Sequence, residues 1–296
     1  MIFFDSEVAV VVKDEPKSFF EHLGELRSRL IISAFAVIIG TIISIYFNRR
    51  LFDLSDGLLT LPLRLRSTDI MVILLGLLSR LGIDSTVIEL AQLFLRSRSY
   101  SVNTITLFAA APMEKFSVVF KASFIVGVII AAPVVLYEAW AFILPALKHN
   151  ERRYFLPLFL ITLFFFSVGA IFAFFIVTPV SIPILAGLLP SVQNQWRIDY
   201  YFSFVGWIVL AFGISFELPV IMGFVARLGI INAKFFKKQR RIAIVLVFIA
   251  SAILTPTQDP FTMCLMAIPL MILYEIGIRF ATLFGSQSVS QSQLIG

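Results

Sequence analysis

The chain alternates between long apolar runs and short polar segments, and this pattern predicts a membrane protein. An α-helix needs about 20 apolar residues to cross about 30 Å of hydrocarbon, and several runs approach that length. We predict six spans in a single membrane domain that covers residues 1–296. The predicted spans are about 30–47, 116–137, 154–177, 201–226, 242–254 and 261–278. The expected fold class is therefore an all-α polytopic membrane protein whose last two helices are short.

A charged, amphipathic stretch at 18–29 precedes the first predicted span. Its leucines recur three and four residues apart, which places them on one face of a helix. Ser18 and Glu21 have the spacing of a capping box, so a helix is expected to begin here. The pattern predicts a helix that lies along a membrane surface and continues into the first span.

Two outer loops interrupt the apolar pattern, at 48–115 and at 179–200, and the third span is predicted to end at Thr178-Pro179. The first loop contains the apolar pieces Ile70–Leu78 and Thr86–Leu95. Each has about ten residues, fewer than a membrane span requires. We interpret them as amphipathic helices at a membrane face, with a seventh span as the alternative.

Composition supports the membrane class and excludes several kinds of site. The chain is 59% hydrophobic and only 14% charged, whereas soluble domains are about a quarter charged. A single cysteine, Cys264, excludes a disulfide framework, and only His22 and His149 are available as imidazole ligands. We therefore expect no metal site and no cofactor. The sequence also lacks phosphate-binding and catalytic motifs, so we predict that the protein is not an enzyme.

The distribution of positive charge predicts the orientation in the membrane. The loop at 227–241 carries six Lys and Arg residues and no acidic residue, and the loop at 138–153 is also rich in basic residues. Basic loops face the cytoplasm, so both termini are predicted to be cytoplasmic. The net charge of +6 fits this arrangement and contact with anionic lipid, and it gives no indication of nucleic acid.

Glu217 is the most informative single residue, because it lies in the middle of an apolar span beside Pro219. Ionisable residues at such positions are costly and generally face the interior of a helix bundle or a water-filled path. This favours a functional role. The alternative is a hydrogen-bonded glutamate that only holds helices together.

Three other carboxylates have ordinary structural interpretations when each is considered alone. Glu25 and Arg29 are spaced i,i+4, which favours an ion pair on the helix surface. Glu151 lies among basic residues in a predicted loop and either pairs with them or lies at the N-terminus of the third span. Asp259, at the tip of the short final hairpin, either caps the last helix or lies in a wet groove of a thinned bilayer.

Several separated stretches resemble conserved segments of the TatC family, the membrane receptor of the twin-arginine protein translocase, in the same order along the chain. They are Glu21–Leu30 with its H-L-x-E-L-R-x-R-L pattern, Ala132–Leu147 with Glu151-Arg-Arg153, Phe212–Pro219, Leu254–Pro260 and Ala267–Gly277. The resemblance implies a concave, glove-like bundle of six helices. It also implies that the protein binds the Arg-Arg signal peptides of folded cargo for export driven by the proton-motive force.

The resemblance assigns the signal-peptide site to Glu25 and Glu151, together with Arg27 and Phe142. Two guanidinium groups require carboxylates, and arginine–carboxylate pairs are strong and often bidentate. The two glutamates with ordinary interpretations are thus implied to form the two halves of one site.

A second site is implied at Glu217, Pro219 and Asp259. In TatC-like proteins this region receives single-span partners of the TatA and TatB type, and the resemblance also implies contact with lipid and with other copies of the chain. The alternative function is a proton-coupled small-solute secondary transporter that uses Glu217. A structural subunit, whose charges only order the helices, is a further alternative.

The chain departs from the family pattern at a few positions. Glu138 stands where glutamine is usual and adds a carboxylate near the signal site, although its position alone predicts an interfacial residue. Met263 stands where many relatives carry glutamine, and the hairpin tip is one residue longer than the common T-P-P-D. The first outer loop is also longer than in most relatives.

Overall fold

The structure, a computed structural model, describes residues 19–47, 106–143, 155–186, 195–254 and 260–285. The helices are α1 (Phe19–Tyr46), α2 (Pro112–Ile143), α3 (Phe155–Phe172), α4 (Thr178–Ala186), α5 (Ile198–Ser215), α6 (Leu218–Arg227), α7 (Ala233–Lys238), α8 (Arg240–Leu254) and α9 (Pro260–Phe284). A π-helical segment, Ala173–Val177, joins α3 to α4, and two short strands are β1 (Thr106–Phe108) and β2 (Gln195–Arg197).

Some predictions lie outside the described residues. They are the helix start at Ser18, the pieces Ile70–Leu78 and Thr86–Leu95, and the candidate site residues Glu151 and Asp259.

The described helices confirm an all-α polytopic membrane protein. Five helical runs among the described residues are long and apolar enough to cross a membrane: Phe20–Tyr46, Pro112–Ile143, Phe155–Ile182, Ile198–Arg227 and Met266–Phe284. The predicted fifth span, α8, has 15 residues and is about 22 Å long, so it is short as expected. The amphipathic stretch and the first span form the single helix α1, which confirms that they are continuous.

The prediction that the third span ends at Thr178-Pro179 is wrong. A proline lacks an N–H group and its ring crowds the carbonyl four residues earlier, which normally breaks a helix. Here the π-helical segment immediately before it changes the hydrogen-bond register. Both the amide and the hydroxyl of Thr178 bond to the carbonyl of Ala173, the hydroxyl at 2.9 Å. The helix therefore continues as α4 to Ala186, so fewer residues separate it from α5 than predicted.

Two other predicted spans differ in detail. The fourth span is not one continuous helix, because α5 ends at Ser215 and α6 begins at Leu218. Pro219 stands in the first turn of α6 and cannot donate a backbone hydrogen bond into α5. The last helix is longer than predicted, since α9 runs to Phe284 rather than to 278. The polar residue Glu275 lies within it and does not end it.

Helix α5 is the centre of the core. It packs against α2, α3, the π-helical segment and α8, and the aromatic side chains of Tyr201 and Phe212 on it are almost fully buried. The other helices expose many large apolar side chains, including those of Phe35 and Ile42 on α1. Exposed apolar surface of this extent marks contact with lipid or with partner helices rather than with water.

Helices α1 and α2 form a close antiparallel pair through small residues. Gly40 faces Gly127, and a Cβ atom added to Gly127 would lie 2.6 Å from the backbone nitrogen of Thr41. Small residues allow helix backbones to approach closely inside a membrane, where van der Waals packing drives association. This contact fixes the position of α1 relative to α2. It thereby also fixes how the polar side chains near the start of α1 lie relative to those near the end of α2.

At the end of the bundle where α2 and α5 begin, β1 and β2 pair as parallel strands. The buried carboxylate of Glu114 accepts a hydrogen bond from the amide of Ala110 at 2.7 Å and another from Arg197 Nε at 3.1 Å. The hydrogen bond to Glu114 raises the pKa of Arg197 above its ordinary value. One carboxylate thus joins the segment after β1 to the end of β2. The strands were not predicted, because three residues each are too few to show an alternating pattern.

Replacing Glu114 with alanine is expected to loosen this end of the bundle locally. The amide of Ala110 and the Arg197 side chain would lose their shared acceptor. Hydrogen–deuterium exchange should increase in peptides that cover 106–111 and 195–199. Glu275→Ala is the control, because its ion pair with Arg240 is half exposed and lies outside these peptides, and exposed pairs contribute little. Equal protection of these peptides in Glu114→Ala and wild type would contradict the assignment.

Candidate functional site

A cluster of charged side chains lies where the start of α1 meets the end of α2. Arg29 donates to Glu25 Oε1 from Nη2 at 2.7 Å and from Nε at 3.2 Å, in the predicted i,i+4 pair. Arg29 Nη1 also donates to Glu138 Oε2 at 2.9 Å. One guanidinium group therefore holds two carboxylates from two different helices. We call Glu25, Arg29 and Glu138 the carboxylate cluster.

Aromatic packing fixes the helix register beside the carboxylate cluster. The rings of His22 and Phe142 are stacked, with centroids 4.3 Å apart and planes inclined by 19°. His22 lies one turn before Glu25 on α1, and Phe142 lies one turn after Glu138 on α2. The two helices are antiparallel, so the stack and the carboxylate cluster occupy successive turns of the same contact.

The carboxylate cluster is partly shielded from water and carries a net negative charge. The side chains of Arg29, Glu25 and Glu138 are 24%, 18% and 12% exposed. Two carboxylates and one guanidinium leave a net charge of −1. Charge-assisted hydrogen bonds at such partly buried positions are stronger than exposed ones. Taken by themselves, these three side chains thus carry more negative than positive charge.

Of the other residues predicted for the signal site, the structure describes two and not the third. Arg27 is exposed on α1, and Phe142 lies beside the carboxylate cluster in its stack with His22. Glu151 lies outside the described residues. Its approach to Glu25, and therefore the two-part site, stays a prediction.

Glu217 lies in the break between α5 and α6, and it is 7% exposed. The hydroxyl of Thr162 and the backbone amide of Phe166 lie beside its carboxylate, but neither reaches hydrogen-bond geometry. Among the described residues, both carboxylate oxygens are buried without a hydrogen-bond partner. Pro219 follows Leu218, the first residue of α6, and is also buried. A buried carboxylate without a partner is costly, so this arrangement is not explained by stability.

A polar contact connects the two regions. Trp140, two residues after Glu138 on α2, donates from Nε1 to the Thr162 hydroxyl at 3.0 Å. Thr162 lies on α3 beside the carboxylate of Glu217. The ring of Trp140 also packs edge-on against Phe224 of α6, with centroids 4.9 Å apart. The second helix therefore carries residues that contact both candidate sites.

No metal-binding cluster is found in the described part of the chain, where no three His, Cys, Asp or Glu residues lie close enough to hold an ion. Cys264 is exposed and unpaired as a thiol.

Sequence reasoning identified some of these groups and missed others. It predicted the Glu25–Arg29 pair, and the structure confirms it. It predicted that Glu138 lies at the membrane–water interface. It did not predict the contact of Glu138 with Arg29, which is 109 residues away in the chain. The His22–Phe142 stack and the Trp140–Thr162 hydrogen bond were also missed, because nothing in a single sequence signals contacts between distant apolar helices.

The fold and the polar groups of the described residues define a multi-span α-helical membrane protein with a carboxylate cluster at a helix end and the buried carboxylate of Glu217 in the break between α5 and α6. Residues 21–269 match the model of the family described as Sec-independent protein translocase protein (TatC). The chain belongs to the TatC family.

Named relatives support this assignment over most of the chain. A Sec-independent protein translocase protein TatC from Desulforapulum autotrophicum is 36% identical over 95% of this chain and 90% of its own length. The TatC protein of Aquifex aeolicus is 37% identical over 87% of this chain and 92% of its own length. The TatC protein of Escherichia coli K12 is 32% identical over 92% of this chain and 90% of its own length.

A crystal structure of the twin-arginine translocase receptor TatC matches the fold with a TM-score of 0.67 and 36% identity, covering 89% of this chain and 99% of that one. A second, in DDM, matches with a TM-score of 0.65, 35% identity and coverage of 88% and 99%. These matches confirm the six-helix fold class and the role of a core translocase subunit. They give no support to the alternative of a small-solute transporter.

Proposed function

We propose that this chain is a receptor that binds Arg-Arg signal peptides of folded cargo at the inner-membrane cytoplasmic face. The observation that carries the proposal is the carboxylate cluster, in which Glu25 already binds the guanidinium group of Arg29 with two hydrogen bonds. A surface that accepts one guanidinium group from its own chain has the geometry and charge to accept another from a ligand.

The second carboxylate of the proposed site is Glu151. Its segment follows α2, whose end carries Glu138 and Phe142, so the chain leaves α2 close to the carboxylate cluster. Two arginines in a signal need two negatively charged partners, and Glu25 and Glu151 would supply them, with Arg27 and Phe142 beside them.

The proposed orientation rests on where the helix ends meet. The end of α2 packs on α6 through Trp140 and Phe224, and Pro157, Arg227 and Phe284 line a single groove. The start of α1 and the end of α9 therefore lie at the same end of the bundle. The basic segment 227–241 lies there as well, and basic loops favour the cytoplasmic side. Both termini are accordingly proposed to be cytoplasmic.

We further propose that Glu217 and Pro219 form a docking point for single-span partners of the TatA and TatB type. The carboxylate of Glu217 is buried without a hydrogen-bond partner among the described residues, and a polar group on a partner helix would provide one. Asp259, which follows α8 in the sequence, is included in this region by resemblance. Other copies of the chain complete the proposed assembly, which exports cargo by using the proton-motive force.

The proposal is tested by measuring signal-peptide binding to the purified chain in lipid nanodiscs. Glu25→Ala and Glu151→Ala should each weaken the binding of an Arg-Arg peptide at least about thirtyfold. Removing one partner of a partly buried ion pair costs about 2–5 kcal/mol. Fluorescence anisotropy of a labelled peptide would measure the dissociation constants.

Two controls make the result specific. A Lys-Lys peptide should bind wild type weakly, because lysine cannot form the bidentate pair. Glu275→Ala should bind the Arg-Arg peptide like wild type, since its pair with Arg240 is half exposed and lies on other helices. Wild-type affinity in Glu25→Ala and in Glu151→Ala would show that the signal binds elsewhere.

A further inference from the structure

The carboxylate cluster contains one more carboxylate than the proposed signal site uses. Glu138 contributes a side chain that is 12% exposed, and its Oε2 accepts a hydrogen bond from Arg29 at 2.9 Å. Its other oxygen, Oε1, accepts no hydrogen bond from the described residues. A carboxylate has about four acceptor positions, so Glu138 can bind a second donor without releasing Arg29.

The charge of the carboxylate cluster depends on Glu138. Without it, Glu25 and Arg29 would neutralise each other, and this part of the proposed site would carry no net charge. With it, the three side chains carry a net charge of −1 even while the ion pairs with Arg29 are intact. Glu138 therefore adds a carboxylate beyond the one that Arg29 balances in the Glu25–Arg29 pair.

We propose that Glu138 is a further signal-binding carboxylate, which together with Glu25 receives one of the two arginines of the signal peptide. This inference rests on the proposed function. Arg29 then serves as a positioning residue, because its guanidinium group holds the carboxylates of α1 and α2 side by side. Each carboxylate would lie between Arg29 and the incoming guanidinium group.

The surroundings of Glu138 suit a guanidinium ligand. The stacked rings of His22 and Phe142 lie one helical turn further along the contact of α1 with α2. A guanidinium group can pack on a flat aromatic surface and bond to a carboxylate at the same time. An ammonium group does both less well. Glu138 would therefore contribute to the choice of arginine over lysine as well as to affinity.

A purely structural role for Glu138 predicts a different result from a binding role. If Glu138 only held Arg29 in place, its removal would weaken all peptides by a similar factor. If Glu138 contacts one arginine of the signal peptide, its removal should lower the affinity only of peptides that contain that arginine. A double-mutant cycle between position 138 and each arginine of the peptide separates the two cases.

The experiment measures the binding of three peptides to wild type and Glu138→Gln in nanodiscs: Arg-Arg, Gln-Arg and Arg-Gln. Glu138→Gln should weaken the Arg-Arg peptide about tenfold, within the range of coupling for close charged pairs. For the peptide that lacks the contacted arginine, the same substitution should change affinity less than about twofold. Glu275→Gln, which removes the same charge from a pair at the same end of the bundle, should leave all three affinities unchanged.

The failures of the two proposals are distinguishable. Equal weakening of all three peptides, or no weakening of any, would overturn the role of Glu138, even where Glu25→Ala still abolishes binding. Wild-type protein that binds the Arg-Arg peptide no better than a Lys-Lys peptide would overturn the proposed function and this inference with it. Glu138→Gln leaves the Glu25–Arg29 pair in place and keeps a carbonyl oxygen that can accept from Arg29, so a circular-dichroism spectrum like that of wild type should accompany these measurements.

Discussion

Replacing Gly127 with leucine is expected to disrupt the fold and to remove the carboxylate cluster with it. A Cβ atom at position 127 would lie 2.6 Å from the nitrogen and 2.7 Å from the Cα of Thr41. These are backbone atoms, so no change of side-chain rotamer relieves the overlap, and α1 must move away from α2. Overpacking of a core costs about 1–3 kcal/mol and sometimes more. The loss of stability in Gly127→Leu is expected at the upper end of that range.

The measurement is thermal unfolding of the purified chain in detergent, followed by size-exclusion chromatography. A loss of about 3 kcal/mol corresponds to about 6–12 °C in a protein of this size class. Gly24→Ala is the matched control on α1, because nothing lies within 4 Å of a Cβ added there. It should leave the melting temperature unchanged or raise it slightly, since alanine favours a helix over glycine.

Signal-peptide binding should fail in Gly127→Leu as well, although position 127 lies 11 residues from Glu138 along α2. The bond between Arg29 and Glu138 requires the two helices to stay in register. A leucine variant with wild-type melting temperature and binding would show that α1 and α2 are not held by this contact.

The fold class was predictable because a membrane span leaves a strong pattern in the sequence. Apolar runs of about 20 residues are rare outside membranes, so the long apolar helices α1, α2 and α3 were found from hydrophobicity alone. Helix ends were less predictable. The hydrogen bonds of Thr178 to Ala173 carry the helix past Pro179, and a proline in a sequence does not reveal a π-helical turn before it.

The candidate site was predictable only in part, for a physical reason. The pair Glu25–Arg29 is local, so helical spacing was enough to find it. The contact of Arg29 with Glu138 depends on the register of two packed helices, which Gly127 sets from a distance. The pattern of apolar residues around α2 does not encode that register, because α2 is apolar on all sides.

Replacing Glu217 with leucine is expected to stabilise the isolated chain and to abolish partner docking and export. Both carboxylate oxygens are buried without a hydrogen-bond partner among the described residues, and such a group costs about 1–3 kcal/mol. An apolar side chain of similar size removes that cost. The melting temperature should therefore rise by a few degrees, at about 2–4 °C per kcal/mol.

The proposed docking role predicts the opposite effect on activity. A single-span partner helix would lose the acceptor for its polar group, so co-purification of that partner and export of an Arg-Arg cargo should both fall to background. Glu217→Gln keeps the shape and one carbonyl acceptor, and it should retain part of the partner binding. Signal-peptide binding should be unchanged in both variants, because the carboxylate cluster lies on α1 and α2.

Glu114→Gln provides the matched control, since Glu114 is also a buried glutamate but accepts hydrogen bonds from Ala110 and Arg197. That variant should melt at a lower temperature and still bind the partner. The comparison thus distinguishes Glu114, whose carboxylate stabilises the fold, from Glu217, whose carboxylate is available to bind a partner helix. A lower melting temperature for Glu217→Leu would reverse this conclusion and show that Glu217 holds the helices together.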